Sequence, residues 1–178
     1  MTKQKVVDLG QRREIREAYE RAGRDVEAHI KSVNDKDPPR AYWLAIAEAY
    51  LDTALRWIIH HMSKEQAKIV AMRGVASLDN DTYASVPTHP GDVPDVLEVA
   101  KHVEAAVDDV RAHFGAIEER DEKAGFWVVL AAAYMDQATR LLIQFASPDA
   151  ARQRLLLATE KQVDEISKQL EKKEAESP

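Results

Sequence analysis

The stretch Tyr42–Ile59, YWLAIAEAYLDTALRWII, returns 84 residues later as Phe126–Ile143, FWVVLAAAYMDQATRLLI. Both contain the pattern W-x(3)-A-x-A-Y-x-D-x-A-x-R. Working outward from this match, residues 11–67 align with 95–151 without a gap, and 18 of the 57 positions carry the same residue. The period is longer than the roughly 20–50 residues of solenoid repeats, so the chain reads as a duplicated subdomain. Within the first copy Trp43, Ala47, Tyr50, Ala54 and Trp57 recur at spacings of four and three, the period of one helix face. Leu44, Leu51, Leu55 and Ile58 form a second stripe beside it. A helix apolar over so wide an arc needs neighbours on more than one side. The two copies are therefore expected to pack face to face about a pseudo-twofold axis, with the repeated alanines allowing close approach.

Each copy reads as three helices. In the first they span 11–34, 39–62 and 63–78, with Asp37-Pro38-Pro39 ending one helix and capping the next, and Ser63 opening the third. In the second they span 95–118, 122–146 and 148–174, where Ser147-Pro148-Asp149 combines a capping hydroxyl with proline at the first helical position. The first two helices of each copy are expected to fold as an antiparallel hairpin, bringing Asp25 toward Tyr50 and Glu20 toward Arg56. The organisation is thus a first helical unit at 1–78, a Pro-rich linker at 79–94 crossing the surface, and a second unit at 95–178, forming one all-α bundle. Beyond the repeat, Leu155, Thr159, Gln162, Val163, Ile166, Gln169 and Leu170 make a thin apolar seam, suited to an interchain coiled coil or to a helix lying across the bundle. The end, EKKEAESP, is polar enough to fray.

Composition narrows the function. The 178 residues include 25 Lys+Arg against 31 Asp+Glu and no Cys. Without cysteine there is no disulfide, thiolate metal site or cysteine nucleophile. A net charge of −6 argues against general nucleic-acid binding, which needs a basic surface to release counterions. The N-terminal MTKQKVVDLGQRRE has no apolar core of a leader, and the run Ala124–Met135 is too short to span a bilayer, so a cytoplasmic protein with no membrane contact is expected. There is no glycine-rich phosphate loop, HExxH or Ser/His/Asp context.

Five polar positions occur in both copies: Asp25/Asp109, His29/His113, Tyr50/Tyr134, Asp52/Asp136 and Arg56/Arg140. Asp and His lie four apart on one helix, Asp and Arg four apart on the next, so each pair shares a face. One expectation is a metal- or small-ligand-binding bundle using all ten, although the Glu-x-x-His of di-iron bundles is missing. The plainer alternative makes Asp52–Arg56 an intrahelical ion pair within a polar network completed by Glu20 and Tyr50. His29, in EAHIKSV, resembles the helical histidine of phosphotransfer domains, which implies an exposed ring accepting phosphate with a lysine in support. The second copy reads RAHFGAIEE and lacks that lysine, and Lys31 is rotated away from His29. His60-His61 at the end of the second helix suits the helix dipole and has no counterpart at Gln144-Phe145.

Surfaces diverge where cores agree. Residues 11–38 carry seven basic and seven acidic residues, while 95–122 carry three and nine. This favours a protein partner, met through Arg12, Arg13 and Arg16 or through Asp108, Asp109, Glu118 and Glu119. Together these readings predict a binding or adaptor bundle acting through protein–protein interaction, a homodimer, with no cofactor and no resident metal. The ligand-binding bundle is the alternative and His phosphotransfer the third possibility.

Overall fold

The repeated stretch becomes the middle of the molecule. In the computed structural model, which describes residues 9–79, 82–120 and 124–176, helix α1 spans Leu9–Asn34, α2 Arg40–His61 and α3 Lys64–Asp79. The second half contributes a short α4 at Val96–Ala100, then α5 at Val103–Glu118 and α6 at Ala124–Phe145. A last run comprises α7 at Pro148–Leu157, a π-helical turn at Ala158–Gln162 and α8 at Val163–Glu176. No strand occurs among the described residues.

Helices α2 and α6 pack on each other and are covered on both sides. On one side α1 lies against α6 and α5 against α2; on the other, α3 meets α7 and the π turn, and α8 lies on α2. This three-layer stack explains the two apolar stripes. Twelve α2 residues are buried, among them Ile46, Leu51, Leu55 and Ile58, each side chain contributing about 1.5–3 kcal/mol by leaving water. Trp43 is buried and stacks on Phe145 at 5.5 Å. Trp127 is half-buried, with Phe126 beside it taking the deeper position.

The expected hairpin pairing is corrected here. The main partner of α1 is α6, where the Arg21 guanidinium sits 4.5 Å from the Phe126 ring centre, and the main partner of α5 is α2. Ala22, Val26 and Val33 supply the buried face of α1, and Ala106, Val110 and Ile117 that of α5. Asp25 consequently meets Arg120 instead of Tyr50, and Glu20 pairs with Arg16 instead of Arg56.

Local signals held at Ser63 and Ser147, whose hydroxyls accept from the Gln66 and Ala150 amides at 3.1 and 3.0 Å. Asp37 departs from the expectation. Pro39 takes the cap position of α2 with no side-chain bond, and Asp37 instead adopts φ 48°, a left-handed turn that Asp tolerates. The helix expected over 95–118 is broken at Lys101-His102, where the chain leaves α4, capped by Asp95, and starts α5.

The described part of the linker is mostly exposed, and it is tied to the bundle at several points. Tyr83 is buried and donates to Asp136 at 2.7 Å, Arg40 donates to the Gly91 and Asp92 carbonyls at 2.9 and 2.8 Å, and the His89 amide donates to Gln144. The C-terminal seam lies across its own bundle: Leu155, Ala158, Val163 and Ile166 are buried, and Arg154 forks onto Glu48 at 2.7 and 2.8 Å. Helix α8 continues to Glu176, so the polar end expected to fray is helical as far as it is described. Among the described residues one helix, Gly125–Phe145, is long and apolar enough to cross a membrane by length and composition, and most of it is buried inside the bundle.

Candidate functional site

Where α1 and α5 face each other across the outer layer, His29 and His113 stack with ring centres 4.4 Å apart and planes 8° from parallel. Each ring is fixed from below by a tyrosine on the central pair. Tyr50 Oη lies 2.6 Å from His29 Nδ1, and Tyr134 Oη lies 2.8 Å from His113 Nδ1. The two phenols are 4.8 Å apart between ring centres and almost fully buried.

Burial decides the protonation pattern. It pushes the Tyr50 phenol well above its ordinary value, helped by the neighbouring Tyr134 and the Asp109 charge, and it raises Tyr134 likewise. Both phenols therefore keep their protons and donate them to Nδ1. A neutral imidazole that accepts at Nδ1 carries its own proton at Nε2. Burial, with the His113 ring at its face, lowers His29 from 6.5 to about 4. His113 is also lowered by burial, against the opposing pull of the Asp25 backbone hydrogen bond and carboxylate. The Nε2–H of His29 has no partner among the described residues.

Two ion pairs flank the stack, each from a cation just past the end of one helix to a carboxylate on the other, α5 or α1. Lys36 reaches Asp109 at 2.8 Å and Arg120 reaches Asp25 at 2.8 Å. Tyr42 also donates to Asp109. Burial alone would raise the Asp109 carboxyl, but the hydrogen bonds from Lys36 and Tyr42 and the Lys36 charge hold it below the carboxylate range. Between these groups lies a cleft of about 420 Å³, with the histidines at its floor and Ser32 and Ala116 on its walls.

Six of the ten duplicated positions thus converge: Asp25, His29, Tyr50, Asp109, His113 and Tyr134. The other four do not. Arg56 donates to Asp52 at 2.6 Å and to Gln169, while Gln162 donates to Asp52. Arg140 donates to Asp136 at 2.7 Å beside Tyr83. These are the intrahelical ion pairs of the plainer expectation, completed by Gln162, Gln169 and Tyr83 in place of Glu20 and Tyr50. Lys36, Arg120 and Tyr42 were missed. A signal existed, since Lys36 and Arg120 are 84 residues apart and both basic.

The described residues contain no group of three or more His, Asp or Glu arranged to hold a metal ion. His29 is half-buried against His113, Lys31 stands exposed outside the cleft, and the lysine that faces His29 is Lys36, already paired with Asp109. Of the residues expected to meet a partner, Arg13 and Arg16 pair with Glu17 and Glu20 on their own helix and remain largely in solvent. The Arg12 side chain lies outside the described residues. Asp108 pairs with Arg111, Glu118 and Glu119 are exposed, and Asp109 belongs to the cleft. Compared with known proteins, the chain matches no family, no curated protein and no solved structure.

Proposed function

We propose that the chain is a binding protein made of two copies of one three-helix unit, and that the α1–α5 cleft holds a small polar ligand. In this reading α1, α2 and α3 correspond to α5, α6 and α7 about a pseudo-twofold axis passing between the stacked histidines. The observation that carries it is the stack itself: two neutral imidazoles held face to face by buried tyrosines, with one Nε2–H left to donate. Such order at the floor of a cleft is what a recognition site needs. Two cations and two carboxylates around one donor balance in charge, which favours a zwitterion: its carboxylate toward His29, Lys36 and Arg120, its ammonium toward Asp25 and Asp109.

The test is a titration followed through the imidazole proton resonances. Alanine should shift the His29 signals saturably at lower concentration than acetate or ethylamine, and Lys36→Ala should weaken the response at least tenfold. Histidine signals that ignore all three compounds would overturn the reading.

A second reading, a protein adaptor that dimerises, draws on the exposed apolar side chains of Val93, Val96 and Leu97, the last two 82% and 76% accessible. Leu97→Asp should then lower the sedimentation mass without lowering thermal stability.

A further inference from the structure

A second cavity lies between α2, α5 and α8, with a volume of about 400 Å³. This is within the roughly 300–1,000 Å³ of small-molecule sites. Its walls are apolar and partly aromatic: Trp57, Val107, Phe114 and Leu170. Trp127 backs them, 4.9 Å from Phe114 and 6.4 Å from Trp57 between ring centres. Its rim carries two arginines, Arg56 and Arg111, beside two imidazoles, His60 and His61; His61 packs 4.7 Å from Trp57, and burial with the His60 ring beside it lowers its pKa, so it serves as a hydrogen-bond donor and not as a charge. Asp52 is the one acidic residue of the lining, and it already accepts from Arg56 and Gln162. Arg111 is held by Asp108 at 3.3 Å while 75% exposed, so its charge can turn toward the cavity at little cost.

The chain contains its own example of what such a pair accepts. At Asp136 and Arg140, 84 residues after Asp52 and Arg56, the ring of Tyr83 lies 5.3 Å beneath the Arg140 guanidinium with its hydroxyl on Asp136. An aromatic ring under the arginine is therefore compatible with this Asp–Arg geometry, and planar guanidinium groups stack on aromatic faces. Around Arg56 no tyrosine of the described residues lies under the guanidinium, Gln169 and Gln162 bonding Arg56 and Asp52 instead, and the two rim arginines add what Tyr83 lacks, an attraction for negative charge.

We propose that this cavity is a second binding site, separate from the histidine cleft, and that it takes an aromatic carboxylate: the ring between Trp57 and Phe114, the carboxylate toward Arg111, Arg56 and the paired histidines. It explains why His60-His61 stands where the other copy has Gln144-Phe145.

The probe is 1-naphthoate, titrated calorimetrically into the full chain, with 1-naphthylmethylammonium as the ring of opposite charge. Naphthoate should bind one to one at least tenfold more tightly than the cation and should shift the Trp57 indole resonance. Arg111→Glu, on an exposed surface, should weaken naphthoate at least tenfold while leaving the helical circular dichroism intact, and His29→Ala should leave its affinity unchanged. Equal affinity for both probes, no binding, or an Arg111→Glu variant that binds as the native chain does would each overturn the assignment. A loss of binding in His29→Ala would place the ligand in the other cleft.

Discussion

Acidification from pH 7 to pH 5 should destabilise the protein through His29. The unfolded ring protonates near 6.5 and the folded ring near 4, because burial and the His113 ring disfavour the imidazolium. Between those values the unfolded chain binds more protons, so stability rises with pH through the window, is complete above about 6.5, and is lost as pH falls. Over pH 7 to 5 the linkage amounts to about 2 kcal/mol for a dry ring, and solvent screening at this half-buried position reduces it to about 1 kcal/mol. For a chain of this size that is about 2–4 °C in Tm. The groups facing His29 are His113, Asp109 and Lys36, and the lowered Asp109 carboxyl stays ionised throughout this range. The assay is urea unfolding at pH 7, 6 and 5 for the native chain and for His29→Gln, whose side chain does not titrate. The native chain should lose about 1 kcal/mol more than the variant. Equal losses would show that the His29 ring is solvated and that the reasoning from its burial fails.

Three further outcomes follow from the packing. Tyr50→Phe and Tyr134→Phe should each cost about 0.5–1.5 kcal/mol in chemical denaturation, and the double variant should depart from additivity because the two hydrogen bonds end on rings in contact. Gly23→Ala and Gly115→Ala add a methyl that meets nothing within 4 Å inside a helix, so each should stabilise by about 0.5–1 kcal/mol in the same assay. Trp43→Ala should cost about 3–5 kcal/mol, and Trp127→Ala measurably less, since only Trp43 is sealed between layers.

Much of the architecture was legible in the chain because a helix face repeats every 3.6 residues and a serine before a helix has one dominant use. Periodicity says which face of a helix is apolar, yet it carries no information on which helix will cover it. For that reason α1 could be placed on the wrong partner, and the contacts inferred for Asp25 and Glu20 went with it. The recurrence at offset 84 singled out His29, Tyr50, His113 and Tyr134 without requiring any pairing, and these four side chains do meet. Lys36 and Arg120 were overlooked because identity was the criterion, whereas either cation can hold a carboxylate across a cleft. Tyr83 was hidden differently: a tyrosine among prolines reads as surface linker, and only the third dimension brings it over Asp136.

The account rests on two neutral imidazoles locked by buried phenols. Nitrogen-15 chemical shifts of the histidine rings across pH 4 to 8 test this directly. For His29 and His113 they should report Nδ1 bare and Nε2 protonated at pH 7, with the His29 midpoint near 4 and that of His113 below 6.5. Averaged tautomers with midpoints near 6.5 would contradict the stack, the tyrosine locks and the cleft built on them.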